Sequence, residues 1–180
     1  VFHIDYESYN LSARYLSYLL TPATVCLAVP LYQQLSLLKK HARAILAGTV
    51  TGVLTTMATV LVLALLFQLT HEQYVTFLPK SITTAIGMGV SEEMGGIVTI
   101  TVACIIITGI IGNIIAETVC RLFHITEPVA KGIAIGSASH AIGTTKAMEM
   151  GEIEGAMSSL AIAVSGLCTV LFASVFANFI

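Results

Sequence analysis

The sequence predicts an all-α polytopic membrane protein built from inverted repeats with broken or re-entrant helices. Composition is the first observation behind this. The chain is 56% apolar and only 10% charged, with a mean hydropathy of +0.91; a soluble domain carries about 25% charged residues. The second is an internal repeat. Ser81-Ile-Thr-Thr-Ala-Ile-Gly87 returns as Ser137-Ala-Ser-His-Ala-Ile-Gly143, and the register holds without a gap to Ile97 and Ile153. Eight of the 17 aligned positions are identical, among them Glu93/Glu149 and Gly95/Gly151. Each copy is small, polar and glycine-rich and runs into a long apolar segment. In a membrane chain that pattern marks repeats whose broken helices meet at a polar site.

Taken in order, residues 15–38 are long enough to span a bilayer but contain Pro22 and Pro30. Each proline removes a backbone donor, so this span is expected to kink or break there. Residues 44–70, 94–116 and 155–180 hold no charge and no histidine, and each meets the length of about 20 apolar residues that a span needs. Between them lie the motif segments 80–97 and 131–155. The chain reads as a single transmembrane domain, 1–180. It starts at Val1 with no signal-peptide pattern, so further N-terminal spans are expected upstream.

The cations fall in two groups. Lys39, Lys40 and Arg43 precede the 44–70 span, and Arg121 and Lys131 follow the 94–116 span. The positive-inside rule puts both groups in the cytoplasm. One span and one motif separate the first group from the third span. The first motif must therefore enter and leave on the outer side, and the second enters from the inner side. The two copies are then inverted. An unwound centre within a full crossing helix is the alternative for each motif.

Non-helical backbone survives at membrane depth only inside protein or beside a watery cavity. Gly87 and Gly95 in the first motif and Gly136 and Gly143 in the second are the expected helix breaks. Thr83, Thr84, Ser137, Ser139, Thr144 and Thr145 supply hydroxyls there. With free N–H groups at half-helix N-termini they form a cradle for an anion. His140, an ionisable group within the membrane, reads as functional by default, either bonding a carboxylate or packing against a carbonyl. Lys146 is either an anion-binding cation or the partner of Glu149 one turn on. Glu93 and Glu149 stand out because both copies keep them; a buried carboxylate there would carry a proton with substrate. Gly48/Gly52 and Gly132/Gly136 read as helix-packing faces, and Asn113 as an interhelical hydrogen bond.

Several classes find no support. Eight Lys and Arg make no patch for nucleic acid. The four cysteines are scattered through apolar runs and read as small hydrophobes. No metal or cofactor motif is present. Ser139 and His140 are adjacent, which is poor geometry for a nucleophile and base, so an enzyme is not expected.

Four stretches carry a resemblance to a known family: residues 20–32, 78–97, 130–144 and 152–161. They resemble the LrgB/CidB family of bacterial membrane proteins, which also forms the C-terminal part of the plastid glycolate/glycerate translocator. Ala85 departs from the pattern, since many relatives have proline after the paired threonines. The resemblance implies one of two functions. One is holin- or antiholin-like modulation of murein hydrolase export and cell lysis, beside a small LrgA/CidA-type membrane partner. The other is transport of small monocarboxylates of the pyruvate, glycolate and glycerate class. The duplicated polar motif favours the carrier, with proton coupling, because alternating access needs a fixed midplane site. The expected location is the bacterial plasma membrane, or the plastid inner envelope for a plant homologue. A homo-oligomer is expected, because four spans are few to enclose a site.

Overall fold

The computed structural model describes residues 35–180 continuously and, before them, the single positions Leu11, Tyr15, Tyr18, Pro22 and Tyr32. The span expected at 15–38 thus lies mostly outside the described residues, as does Pro30; Pro22 is an exposed helical position. Six α-helices and a final 3-10 turn make up the described fold: α1 Leu35–Phe67, α2 His71–Phe77, α3 Thr84–Glu93, α4 Val98–Leu122, α5 Pro128–Met150 and α6 Glu152–Phe176, then Ala177–Phe179. Three stretches, Lys39–Phe67, Val98–Leu122 and Glu152–Phe179, are long and apolar enough to cross a membrane. The chain is an integral membrane protein with the all-helical, repeat-based architecture its sequence predicts.

Local chemistry sets the helix ends. α1 stops where Gln68 takes a left-handed φ of 53°. Thr70 then caps α2 in a reciprocal capping box with Gln73, the side-chain bonds measuring 3.3 and 3.0 Å. Two orphan donors are satisfied this way. Gly95, at φ 79°, closes α3, and the Gly96 N–H returns to the Ser91 carbonyl at 2.7 Å. Glycine adopts that left-handed conformation without a side-chain clash. Pro128 occupies the first turn of α5, where its missing N–H costs nothing.

Both motif segments are re-entrant. In the first, Thr76 near the end of α2 and Ser91 in α3 both reach Thr101 of α4. Thr101 Oγ1 donates to the Thr76 carbonyl at 2.9 Å and lies 2.7 Å from Ser91 Oγ. Segment 71–93 therefore runs in along α4 and back along it. In the second, α5 bends at His140, where φ is 42° and ψ −142°. Limb 128–139 packs Gly132 on Met157 and Gly136 on Ser158 of α6. Limb 141–150 returns past the same helix: Thr144 Oγ1 meets Ser158 Oγ at 2.7 Å, and Met148 packs on Gly155. A shift of 56 positions carries the Thr76–Thr101 contact onto Gly132–Met157.

The hairpins enter from opposite faces. His71 Nδ1 donates to the Ile180 carbonyl at 2.7 Å and Tyr74 Oη to the Phe176 carbonyl at 2.9 Å, which places hairpin one at the C-terminal end of α6. Hairpin two starts at the other face, where Glu127 and Val129 share a groove with His41 of α1. It ends there too, with Lys146 beside Glu117 near the end of α4. α4 and α6 are consequently antiparallel, and the two cation groups lie at one face, as the charge pattern predicts. Ile45, Ile133, Ala156 and Met157 form the apolar core near this face, and Met57, Val60, Ala64, Tyr74 and Leu78 form the larger core toward the other.

Candidate functional site

The two hairpin tips meet inside the protein. Ser81 and Ile82 of the first tip and Ser137 of the second line one small cavity of about 10 Å³, with Val53, Thr56 and Met57 of α1, Leu78, and Thr169 of α6. That is room for about one water. Two of its lining residues, Thr56 and Ser137, also line a larger open groove of about 660 Å³ between α1 and limb 128–139. The groove runs from His41 and Glu127 at one face past Gly48, Thr51, Gly52 and Thr55. Small residues keep it open: a Cβ on Gly52 would lie 3.1 Å from Ser137 Oγ.

Only part of the predicted site converges here. Ser137 is buried at the junction and spends its hydroxyl on the Ile133 carbonyl at 2.7 Å. Thr83 caps α3 by backbone alone, and both Thr83 and Thr84 are half-buried outside the shared cavity. Ser139 is buried against Gly112 and Gly143. His140, 2% exposed, donates from Nε2 to the Ile105 carbonyl of α4 at 2.8 Å, with Gly109 leaving space for its ring. Thr144 donates to the His140 carbonyl at 2.9 Å, closing the bend. Thr145 is exposed; its hydroxyl and the Ile142 carbonyl both receive the Asn113 amide, at 2.8 and 2.9 Å.

The charged candidates belong elsewhere. Lys146 pairs with Glu149 at 3.1 Å and approaches Glu117 at 3.8 Å. The hydrogen bond to Glu149, together with the charge of that carboxylate, holds the Lys146 ammonium above its ordinary range. Glu93 and Glu149 are exposed at the ends of their limbs, on opposite faces. Glu93 stands nine residues from the start of α3, about 14 Å along a helix. The carboxylates kept by the repeat are thus limb ends and are not buried at the tips. Gly87, Gly136 and Gly143 do not break helices either. They lie within helical turns and let Ile105, Ser158 and Ser139 approach closely. The breaks fall at Gly95 and His140.

Three contributors are not singled out by the sequence. Thr56 and Thr169 are ordinary span hydroxyls with no local signal. Lys80 carries a signal, an ionisable residue immediately before the repeated motif. It is half-buried at the first tip and donates to Ser81 Oγ at 3.3 Å. No group of three or more His, Cys, Asp or Glu able to hold a metal occurs among the described residues.

Comparison with known proteins places this arrangement. A profile of the LrgB-like family matches residues 1–179. The protein YxaC of Bacillus subtilis (strain 168), described as uncharacterized, is 39% identical over 171 residues, covering 95% of this chain and 73% of that protein. Proteins named antiholin-like protein LrgB, from Bacillus mycoides (strain KBAB4) and Bacillus cereus (strain B4264), are each 37% identical over 178 residues, covering 99% of this chain and 77% of theirs. No solved structure matches.

Proposed function

The chain belongs to the LrgB-like family, and we propose that it acts as an antiholin-like membrane protein, a restraint on holin-type permeabilisation and on murein hydrolase release. The observation that supports this reading is the similarity, over nearly the whole chain, to proteins named antiholin-like LrgB. The order of the two functions favoured by the repeat is thereby reversed. In this reading the protein sits in a bacterial plasma membrane beside a small LrgA/CidA-type partner. The apolar face of α4 at Ile107, Ile110, Ile111 and Ile114 is exposed and available to lipid or to that partner. Deleting the gene in its host should raise autolysis and released hydrolase activity, and re-expression should restore both. Unchanged autolysis in the deletion strain counts against it.

One structural feature favours a second reading. Hairpins that enter from opposite faces and line a common cavity are what alternating access around a fixed site requires. A restraint on a pore has no need of them. On this reading the protein is a secondary transporter for a small monocarboxylate of the pyruvate, glycolate and glycerate class, possessing no catalytic activity. Its substrate would lie at the junction of Ser81, Ser137, Thr56 and Thr169, with His140 holding the second tip. Glu93 and Glu149 would serve proton exchange at the two mouths. The test is uptake of radiolabelled pyruvate and glycolate into proteoliposomes under an imposed proton gradient. Saturable, gradient-dependent uptake supports the carrier. Unsaturable leak of unrelated solutes contradicts it.

A further inference from the structure

We propose that Lys80 is the charge that receives a small carboxylate at the hairpin junction, and that the α1–α5 groove is its access route. This deepens the carrier reading and rests on it. Lys80 stands at the first tip, and its ammonium donates to Ser81 Oγ, a residue that lines the cavity. An ammonium has three donors. Among the described residues the ion pairs involve Arg121 and Lys146, not Lys80. A half-buried cation held by one hydroxyl calls for an anion.

The surroundings point the same way. Gly87 of α3 packs between the carbonyl of Pro79, the residue before Lys80, and the side chain of Ile105, the residue after Cys104 on α4, and the Ile105 carbonyl receives His140 from the second tip. Both tips therefore converge on one turn of α4. Two buried hydroxyls, Thr49 and Ser165, have no hydrogen-bond partner among the described residues. Each lies one helical turn before a cavity-lining residue, Val53 and Thr169 respectively, and an unsatisfied buried polar group is costly. One ammonium and a few hydroxyls suit a monovalent carboxylate better than a dianion. The cavity is smaller than a carboxylate, so loading requires the tips to part, with the acid arriving past Thr56 and Ser137.

Equilibrium binding of radiolabelled pyruvate to the full-length protein in nanodiscs tests this, with sulfate as competitor. Lys80→Gln should weaken binding about ten- to hundredfold, the loss expected for a charged hydrogen bond. Lys80→Arg should keep saturable binding, and Lys40→Gln, at an exposed lysine of α1, should bind as wild type. Sulfate should compete poorly. Lys80→Gln binding as tightly as wild type overturns the assignment while leaving the carrier reading standing; wild-type protein that binds no acid overturns both. A second readout holds even if Lys80→Gln fails to fold. In a variant keeping Cys104 as its only cysteine, pyruvate should slow N-ethylmaleimide labelling several-fold. Labelling that saturating pyruvate leaves unchanged overturns the assignment.

Discussion

At the scale of single residues, His140 shows how far chemistry can be read from a sequence. An ionisable group inside a membrane segment stands out from composition alone, and both of its readings, ligand and packing residue, are visible there. The backbone is not. His140 holds φ 42° and ψ −142°, a region that costs a non-glycine residue about 1–3 kcal/mol. Its ring bond to Ile105 and the Thr144 bond to its carbonyl hold the bend. His140→Ala keeps the strain and loses the ring bond, whereas His140→Gly loses the bond but removes the strain. The glycine variant should therefore be more stable than the alanine variant by about 1 kcal/mol, read as a higher melting temperature in detergent. Equal or reversed stabilities would mean that the bend is not strained at this residue. The paired carboxylates teach a different lesson. The repeat preserves Glu93 and Glu149 because both close equivalent limbs, and identity between copies does not separate a limb end from a binding tip.

At the scale of elements, the three spans were legible because charge-free stretches of sufficient length are a direct physical signal. The role of each glycine was not, since it depends on which helix lies opposite. Gly136 illustrates this: a Cβ there would come within 2.8 Å of Ser158 Cα and 2.9 Å of Ala161 Cβ. Close backbone approach of this kind drives helix association in lipid. Gly136→Val should destabilise the protein by about 1–3 kcal/mol through overpacking. At Gly89, in α3, an added methyl would meet no neighbour within 4 Å, so Gly89→Ala should leave stability unchanged or raise it by up to about 1 kcal/mol. Thermal melting of the two variants separates a packing glycine from a hinge. If Gly136→Val melts with the wild type, the packing of α5 on α6 is not as described.

At the scale of the whole molecule, the relative placement of the span ends was the most legible property. Five basic residues in two groups predicted which span ends share a face, and the structure brings those ends together at one face. The choice between a re-entrant hairpin and an unwound crossing helix was not legible, since both satisfy the same charge count. It is settled by tertiary contacts, Thr76 and Ser91 on Thr101 and Gly132 and Met148 on α6. Opposed re-entrant hairpins underlie the junction, the groove and the carrier reading alike. Single cysteines placed at Glu72, Glu93, Glu127 and Glu149, all exposed, should therefore report sidedness to a membrane-impermeant maleimide in intact and in permeabilised cells, in a background free of native cysteines. Positions 72 and 93 should label from one side, and positions 127 and 149 only from the other. Labelling of 72 and 93 from opposite sides would show a crossing helix and contradict the fold-back on which the site depends.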